Sequence, residues 1–157
     1  MIVEDVMTKS VITCTPSDKI EDIVRLMSEK KISGIPVVDK DKLVGIVTEE
    51  DIMKILAVPK SSDILWLPTP FEVLLEIPFK DLLQLRELQR SFTNLGGKPV
   101  KDIMSKHVWT TTPEADVEEA ASDMVRHRVN RLPVMKGGQI MGIVTRDDII
   151  HGLGGNK

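Results

Sequence analysis

Apolar and polar positions alternate with helical spacing in the first third of the chain. The apolar ones stand at the i, i+3, i+4 and i+7 positions of one stretch, and they are Ile20, Ile23, Val24 and Met27. Most positions between them are charged, so the pattern predicts an amphipathic helix that lies on an apolar surface. A β-branched run at residues 11–13 predicts a preceding strand, with Thr15 as a cap for the helix that follows.

Two short apolar runs with a polar turn between them follow the predicted helix. Residues 35–38 and 43–47 are apolar and the four residues between them are charged, which is the pattern of a β-hairpin. Thr48 and Asp51 then form a Thr-x-x-Asp arrangement before another apolar run, which is typical of a capping box at a helix start. The order of elements is therefore predicted to be β-α-β-β-α.

The whole pattern occurs twice. Residues 102–149 align with residues 5–52 without a gap, about a third of the aligned positions are identical, and both copies close with G-I-V-T-x-x-D. A single copy has too few elements to bury its apolar face. We therefore predict an α+β fold in which the two copies pack sheet against sheet about a pseudo-twofold axis and share one core.

The segment between the copies is rich in leucine and too apolar for a passive linker. Its Pro and Gly positions predict a short helix and then a longer one that ends at Gly96 and Gly97. The leucines either cover the flank of the repeats or form a helix–helix contact in a homodimer, and residues 66–68 are a further candidate partner surface. The predicted organisation is a first repeat at 1–57, a helical connector at 58–100, and a second repeat with a short Gly-rich tail at 101–157.

Composition narrows the class of protein. Hydrophobic residues make up 41% and charged residues 29% of the 157 residues, as in ordinary globular proteins. The net charge of -3 provides no positive field that would attract nucleic acid. Cys14 is the single cysteine, which excludes an internal disulfide and favours a cytoplasmic location. No signal peptide or membrane-spanning apolar stretch is apparent, so neither nucleic acid nor a membrane is an expected partner.

The sequence motifs of common enzyme classes are absent. The three histidines, His107, His127 and His151, are scattered, and no Gly-x-Ser-x-Gly or reactive Cys-His signature is present. A hard metal ion needs several oxygen ligands, and no dedicated set of carboxylates stands together in the sequence. We therefore expect that the chain is not an enzyme.

The doubled pattern is similar to a known family. Its motifs are D-V-M or D-I-M near the start of each copy, a G-I-P-V or R-L-P-V strand, and the closing G-I-V-T-x-x-D. Together they resemble the tandem CBS domain pair, or Bateman module, over about two thirds of the chain. The resemblance implies a regulatory module that binds adenosine-containing ligands, such as AMP, ADP, ATP, NAD or S-adenosylmethionine, in clefts between the copies.

The resemblance also implies two sites, each built from both copies. The carboxylate of Asp51 or Asp148 can accept hydrogen bonds from two ribose hydroxyls, and the helix start with its Thr hydroxyl offers donors to a phosphate. The first site would join Thr48 and Asp51 to a wall made of Trp109, Thr110, Val129, Asn130, Arg131 and Pro133. The second would join Thr145 and Asp148 to a wall made of Ile12, Thr13, Ile32, Ser33, Gly34 and Pro36.

The two implied sites differ in charge and in aromatic character. Arg131 stands where the first copy has Gly34, so the Asp51 site gains a cation for phosphate, and Trp109 in its wall can stack on adenine. We expect the Asp51 site to bind the more phosphorylated ligand more tightly. The structural alternative is that the Thr-x-x-Asp motifs are only helix caps and that Trp109 belongs to the core.

This interpretation predicts a stand-alone regulatory protein, such as an energy sensor, whose ligand is an adenosine nucleotide. Its output would pass to a partner protein that the sequence does not identify, and a homodimer is expected. No cofactor is required, although Mg²⁺ could bind beside the phosphates of a nucleotide. The alternative function is a dimerisation or scaffold module whose ligand sites are degenerate.

Overall fold

The computed structural model describes residues 1–56 and 96–155, and it confirms an α+β fold with two similar halves. The first repeat contains the elements α1 (Val3–Val6), α2 (Ile20–Lys30), β1 (Gly34–Asp39), β2 (Lys42–Thr48) and α3 (Glu49–Leu56). The second contains a 3-10 helix (Val100–Asp102), α4 (Val117–His127), β3 (Arg131–Lys136), β4 (Gln139–Thr145) and α5 (Arg146–Leu153). The predicted connector helices and the partner surface at residues 66–68 lie outside the described residues.

The two hairpins have the same register, which confirms the duplication in three dimensions. β1 pairs antiparallel with β2 and β3 with β4, and each pairing has one irregularity at the equivalent place, after Val37 and after Val134. Residue Gly34 at the start of β1 lies opposite Thr48 at the end of β2. Strands β2 and β4 contact each other, so the two sheets pack together as predicted.

The predicted strand at residues 11–13 is wrong, because none of these three residues pairs with the sheet and only the next residue, Cys14, forms a bridge to it. Cys14 donates its N–H to the carbonyl oxygen of Pro36 at 3.0 Å and accepts from the N–H of Val38 at 2.8 Å. The neighbouring residues do not extend this bridge into a strand. Burial raises the pKa of the Cys14 thiol to about 12, so the thiol is protonated at neutral pH.

Thr15 holds a turn instead of capping the next helix. Its N–H and its hydroxyl donate to the Asp18 carboxylate at 2.8 and 2.9 Å. These local side-chain bonds satisfy the backbone in a turn, so α2 begins later, at Ile20, without a side-chain cap.

Each repeat completes the core of the other. Val3 is fully buried in the cluster of the second repeat, and Val100 is fully buried in the cluster of the first. Equivalent backbone bonds hold them, from Val3 N–H to the Ala115 carbonyl at 2.9 Å and from Val100 N–H to the Asp18 carbonyl at 2.8 Å. The expectation of one shared core is therefore wrong, since the described residues form two cores that exchange a segment.

The exchanged segments continue along the outer edges of β2 and β4. The paired residues are Ile46 with Ser105 and Ile143 with Thr8, each joined by two backbone hydrogen bonds of 2.9 to 3.0 Å. Gly45 and Gly142 permit this close approach, because a Cβ atom at either position would lie 3.0 Å from the carbonyl oxygen of the exchanged segment. The close packing thus explains why both repeats have a glycine at this position.

The exchange predicts that equivalent substitutions in the two repeats destabilise the whole molecule. Val3→Ala and Val100→Ala each remove two methyl groups from a fully buried position, so each should lower the free energy of unfolding by about 2 kcal/mol. Chemical denaturation measures this, and Met141→Ala, at a position 42% exposed, is the control with little expected change. A Val3→Ala midpoint equal to that of the wild type would contradict the exchange.

Candidate functional site

Both Thr-x-x-Asp motifs form capping boxes where a strand passes directly into a helix. The N–H and hydroxyl of Thr48 donate to Oδ2 of Asp51 at 2.8 and 3.0 Å, and the Asp51 N–H contacts the Thr48 hydroxyl oxygen at 3.4 Å. The matching distances for Thr145 and Asp148 are 2.8, 2.7 and 3.1 Å. The capping role that the sequence left as an alternative therefore exists in both repeats.

The capping bonds decide which atoms are left for a ligand. A threonine hydroxyl has one proton, and in both motifs it is donated to the aspartate, so the expected donation to a phosphate does not agree with this arrangement. Oδ1 of Asp51 and Oδ1 of Asp148 have no hydrogen-bond partner within residues 1–56 and 96–155. One oxygen of each carboxylate thus holds the cap, while the other can accept a hydrogen bond from a ligand hydroxyl.

A cavity of about 450 Å³ opens beside Asp51, and we name it the Asp51 cleft. Of the predicted residues, the structure brings together Thr48, Asp51, Trp109, Val129, Asn130 and Arg131. Thr110 and Pro133 do not line it, which corrects the expectation for both. Pro133 is buried in the sheet, where its carbonyl accepts from the Thr111 N–H at 3.0 Å, and Thr110 lines a separate depression.

A second cavity of about 450 Å³ opens beside Asp148, and we name it the Asp148 cleft. Of the predicted residues, the structure brings together Thr145, Asp148, Ile12, Ile32, Ser33 and Gly34. Thr13 and Pro36 do not line it. Pro36 is fully buried and bonded to Cys14, as Pro133 is to Thr111 in the other repeat, so both prolines serve the sheet rather than the clefts.

Several lining residues were missed by sequence reasoning because they arrive on the exchanged segments. In the Asp51 cleft these are Ser105, His107 and Val108, and in the Asp148 cleft they are Thr8, Ser10 and Val11. In the sequence these residues lie between the D-V-M or D-I-M motif and the predicted cleft wall. That position could have identified them as lining residues. The exchange that completes the cores therefore also supplies part of each cleft.

One cation stands at the same place in each cleft, at the end of the helix that precedes the hairpin. Lys31 ends α2 and lines the Asp148 cleft, while Arg128 ends α4 and lines the Asp51 cleft. Both have left-handed backbone conformations, with φ of 53° and 56°. Lys31 and Arg128 hold equivalent positions in the two repeats, so each cleft has one cation of its own at this place.

The other charges do not favour the predicted ranking of the two clefts. Glu49 and Glu50 line the Asp51 cleft, and Lys54 in the same lining is paired with Glu50 at 2.9 Å. In the Asp148 cleft, Asp147 takes the place of Glu50, but Arg146 takes the place that Glu49 has in the first repeat. The ranking stays a matter for binding experiments, and these charges lead us to expect the opposite order for phosphorylated ligands.

Arg131 lines both clefts, although the sequence assigned it to one. Its guanidinium Nη2 donates to the Ser33 hydroxyl oxygen of the other repeat at 2.7 Å. Burial lowers the pKa of Arg131, and the negative charge of Glu49 acts in the opposite direction. An arginine remains protonated at neutral pH in either case, so a positive charge lies between the two clefts.

Trp109 belongs to an aromatic cluster at the rim of the Asp51 cleft. Its ring stacks on His127 with centroids 3.4 Å apart and an interplanar angle of 12°, and His107 lies 4.6 Å away at 80°. An exposed fraction of 39% contradicts the core interpretation of this residue. Because His127 covers one face of the indole, adenine has access to the other face at most.

Within the part of the chain that the structure describes, no three residues of the types His, Cys, Asp and Glu are grouped where they could hold a metal ion. No helix in those same ranges has the length and apolar character needed to cross a bilayer.

Comparison with known proteins identifies the same pattern of repeats. A family model for the CBS domain matches residues 3–58 and again residues 100–155. An uncharacterized protein of Methanocaldococcus jannaschii is 38% identical over 155 residues, which are 98% of this chain and 91% of that protein. An inosine-5'-monophosphate dehydrogenase of Korarchaeum cryptofilum is 32% identical over 149 residues, which are 94% of this chain but 23% of that enzyme. The similarity to the dehydrogenase thus concerns less than a quarter of the enzyme.

A solved structure agrees with the fold over nearly the whole chain. The crystal structure of CBSX2 in complex with AMP superposes with a TM-score of 0.68 at 26% sequence identity. The match covers 97% of this chain and 95% of that one. The two chains therefore share both repeats and their arrangement.

The capping geometry predicts a stability effect that needs no ligand. Thr145→Val keeps the shape of the side chain but removes the oxygen that caps α5, so the free energy of unfolding should fall by about 1 kcal/mol in the ligand-free protein. Denaturant titration measures the change, and Thr112→Val, at an exposed threonine outside both clefts, is the matched control. Equal losses in the two variants would show that the capping box contributes nothing specific.

Proposed function

The chain belongs to the CBS domain family, and from that membership we propose that it is a regulatory module that binds an adenosine-containing ligand between its repeats. The observation that carries the proposal is that each cleft holds an aspartate with one oxygen in the cap and the other without a hydrogen-bond partner among residues 1–56 and 96–155. Each cavity of about 450 Å³ has the volume of a small-molecule site. The crystal structure of CBSX2 contains AMP, and at 26% identity it supports the same ligand class here.

The chemistry of the clefts suits a ribose beside a phosphate. Oδ1 of Asp148 accepts from a ribose hydroxyl, which is a charge-assisted and therefore stronger hydrogen bond. Arg146 and Lys31 in the same cleft are the cations that attract the phosphate. The Asp51 cleft, with Glu49 and Glu50 in its lining, suits a ligand with less negative charge. AMP is thus the first ligand to test, ahead of ATP.

Regulation follows from the position of the ligand between the repeats. A ligand that contacts Asp51 and also Val129 touches both repeats at once, so binding favours one relative arrangement of the two. A partner protein that recognises this arrangement would read the occupancy of the cleft. We propose that the regulatory output passes to such a partner.

Mg²⁺ enters this proposal only together with a nucleotide. Asp51 and Asp148 each use one carboxylate oxygen in a capping box, which leaves too few oxygen ligands for a hard cation by themselves. The phosphate oxygens of the ligand would have to supply most of the coordination. Binding of AMP is therefore proposed to need no metal.

Self-association is the second candidate function, and one observation favours it. Met53 on α3 and Ile150 on α5 hold equivalent positions in the two repeats and are 61% and 67% exposed. Val125 on α4 is a further exposed apolar residue, at 71%. Matching apolar side chains on pseudo-symmetric helices suit a homodimer contact, as a scaffold or dimerisation module requires.

Ligand binding should be measurable as stabilisation and as stoichiometry. AMP should raise the melting temperature in proportion to RT ln(1 + [L]/Kd), and calorimetry should show two sites in the wild type. Asp51→Asn and Asp148→Asn should each remove about 1.5 to 3 kcal/mol of binding free energy from one cleft only. Arg25→Gln, at an exposed arginine outside both clefts, is the control. No stabilisation by AMP, ADP, ATP, NAD or S-adenosylmethionine would contradict the proposal and favour a scaffold.

Self-association has its own test. We expect the wild type to sediment as a dimer and the double variant Met53→Glu with Ile150→Glu to sediment as a monomer, because two buried charges would replace an apolar contact. Met141→Glu places the same charge at an exposed apolar position on β4 and is the control. A wild type that is monomeric at all concentrations rules out the dimer.

A further inference from the structure

The two clefts meet at three residues that line both of them. These shared residues are Ser33, Asn130 and Arg131. Ser33 and Asn130 occupy equivalent positions in the two repeats, so the shared wall lies where the pseudo-twofold axis relates one cleft to the other. Arg131 is the only one of the three that carries a charge. The two clefts therefore have one guanidinium in common.

The geometry around Gly34 explains why there is a single arginine at this place. Gly34 is the equivalent of Arg131 in the first repeat, and the Arg131 side chain lies directly over it. A Cβ atom at Gly34 would lie 2.8 Å from Cδ and from Cζ of Arg131 and would overlap its guanidinium. A side chain at position 34 would therefore displace Arg131 from this place. Each cleft has a cation of its own at the end of α2 or α4, but both clefts share the single guanidinium of Arg131.

We propose that Arg131 couples the two clefts, because its guanidinium serves the phosphate of one bound nucleotide at a time. The proposal rests on the proposed function, that adenosine ligands bind in both clefts. Without a ligand, Arg131 donates to Ser33, which itself lines both cavities. A phosphate in either cleft is a stronger acceptor than a neutral hydroxyl, and it draws the guanidinium to its own side.

The consequence is negative cooperativity that depends on the phosphate of the ligand. The first AMP binds with Arg131 as a partner, while the second AMP binds in a cleft whose arginine is already engaged. Adenosine carries no phosphate and does not recruit the guanidinium, so its two binding steps stay independent. The ligand charge, rather than its base or ribose, thus decides whether the clefts communicate.

The test compares AMP with adenosine by calorimetry on the full chain. Asp51→Asn and Asp148→Asn each leave one cleft intact and give its affinity with Arg131 fully available. In the wild type, the second AMP should bind on the order of ten-fold more weakly than the matching single-cleft affinity. If the coupling is strong, the wild type should bind only one AMP, while both single-cleft variants still bind AMP.

Arg131→Gln separates a shared arginine from simple repulsion between two phosphates. If the arginine is shared, Arg131→Gln lowers the affinity for the first AMP until it approaches the affinity for the second. The two binding steps then become independent. Arg25→Gln removes a charge from an exposed site on α2 and should leave both steps as in the wild type. Thermal unfolding of each variant verifies that the fold is intact.

Several results would overturn the coupling while leaving the proposed function in place. One is AMP binding in the wild type with the same two affinities as the single-cleft variants. Another is a difference between the two AMP affinities that persists in Arg131→Gln, which would assign the coupling to repulsion between phosphates. A third is one cleft that binds neither AMP nor adenosine in any variant. Failure of both ligands to bind anywhere would overturn the proposed function and the coupling together.

Discussion

The reciprocal burial of Val3 and Val100 is the contact on which the rest of this structure depends. Each valine is fully buried in the core of the repeat to which it does not belong in sequence, so neither core is complete by itself. The segments that follow the two valines bridge β4 and β2 and then become walls of the clefts. The packing that completes the two cores therefore also forms both clefts.

Local features of this fold could be read from the sequence, because neighbouring residues decide them. Each hairpin follows from two apolar runs and a polar turn, and each capping box follows from a threonine and an aspartate three residues apart. The exchange could not be read in this way. Val3 and Val100 show the same apolar pattern whether they pack in their own repeat or in the other.

The cleft walls were predictable to the extent that they follow the repeat. Ile12 and Trp109 line their clefts as the alignment implies, whereas Thr13 and Thr110, one residue further along, do not. The orientation of the Arg131 side chain could not be predicted from the sequence, because it depends on Ser33 and on the space above Gly34, nearly a hundred residues away. A long flexible side chain has several directions available, and tertiary neighbours select one of them.

The pairing of Gly34 with Arg131 has a consequence for how such a molecule can arise. A homodimer of one repeat would place the same residue on both sides of a true twofold axis. Two glycines there would leave the axis without a charge, and two arginines would compete for the same space. Joining the repeats in one chain allows the two positions to mutate separately, so gene fusion permits a single positive charge at a place where exact symmetry forbids it.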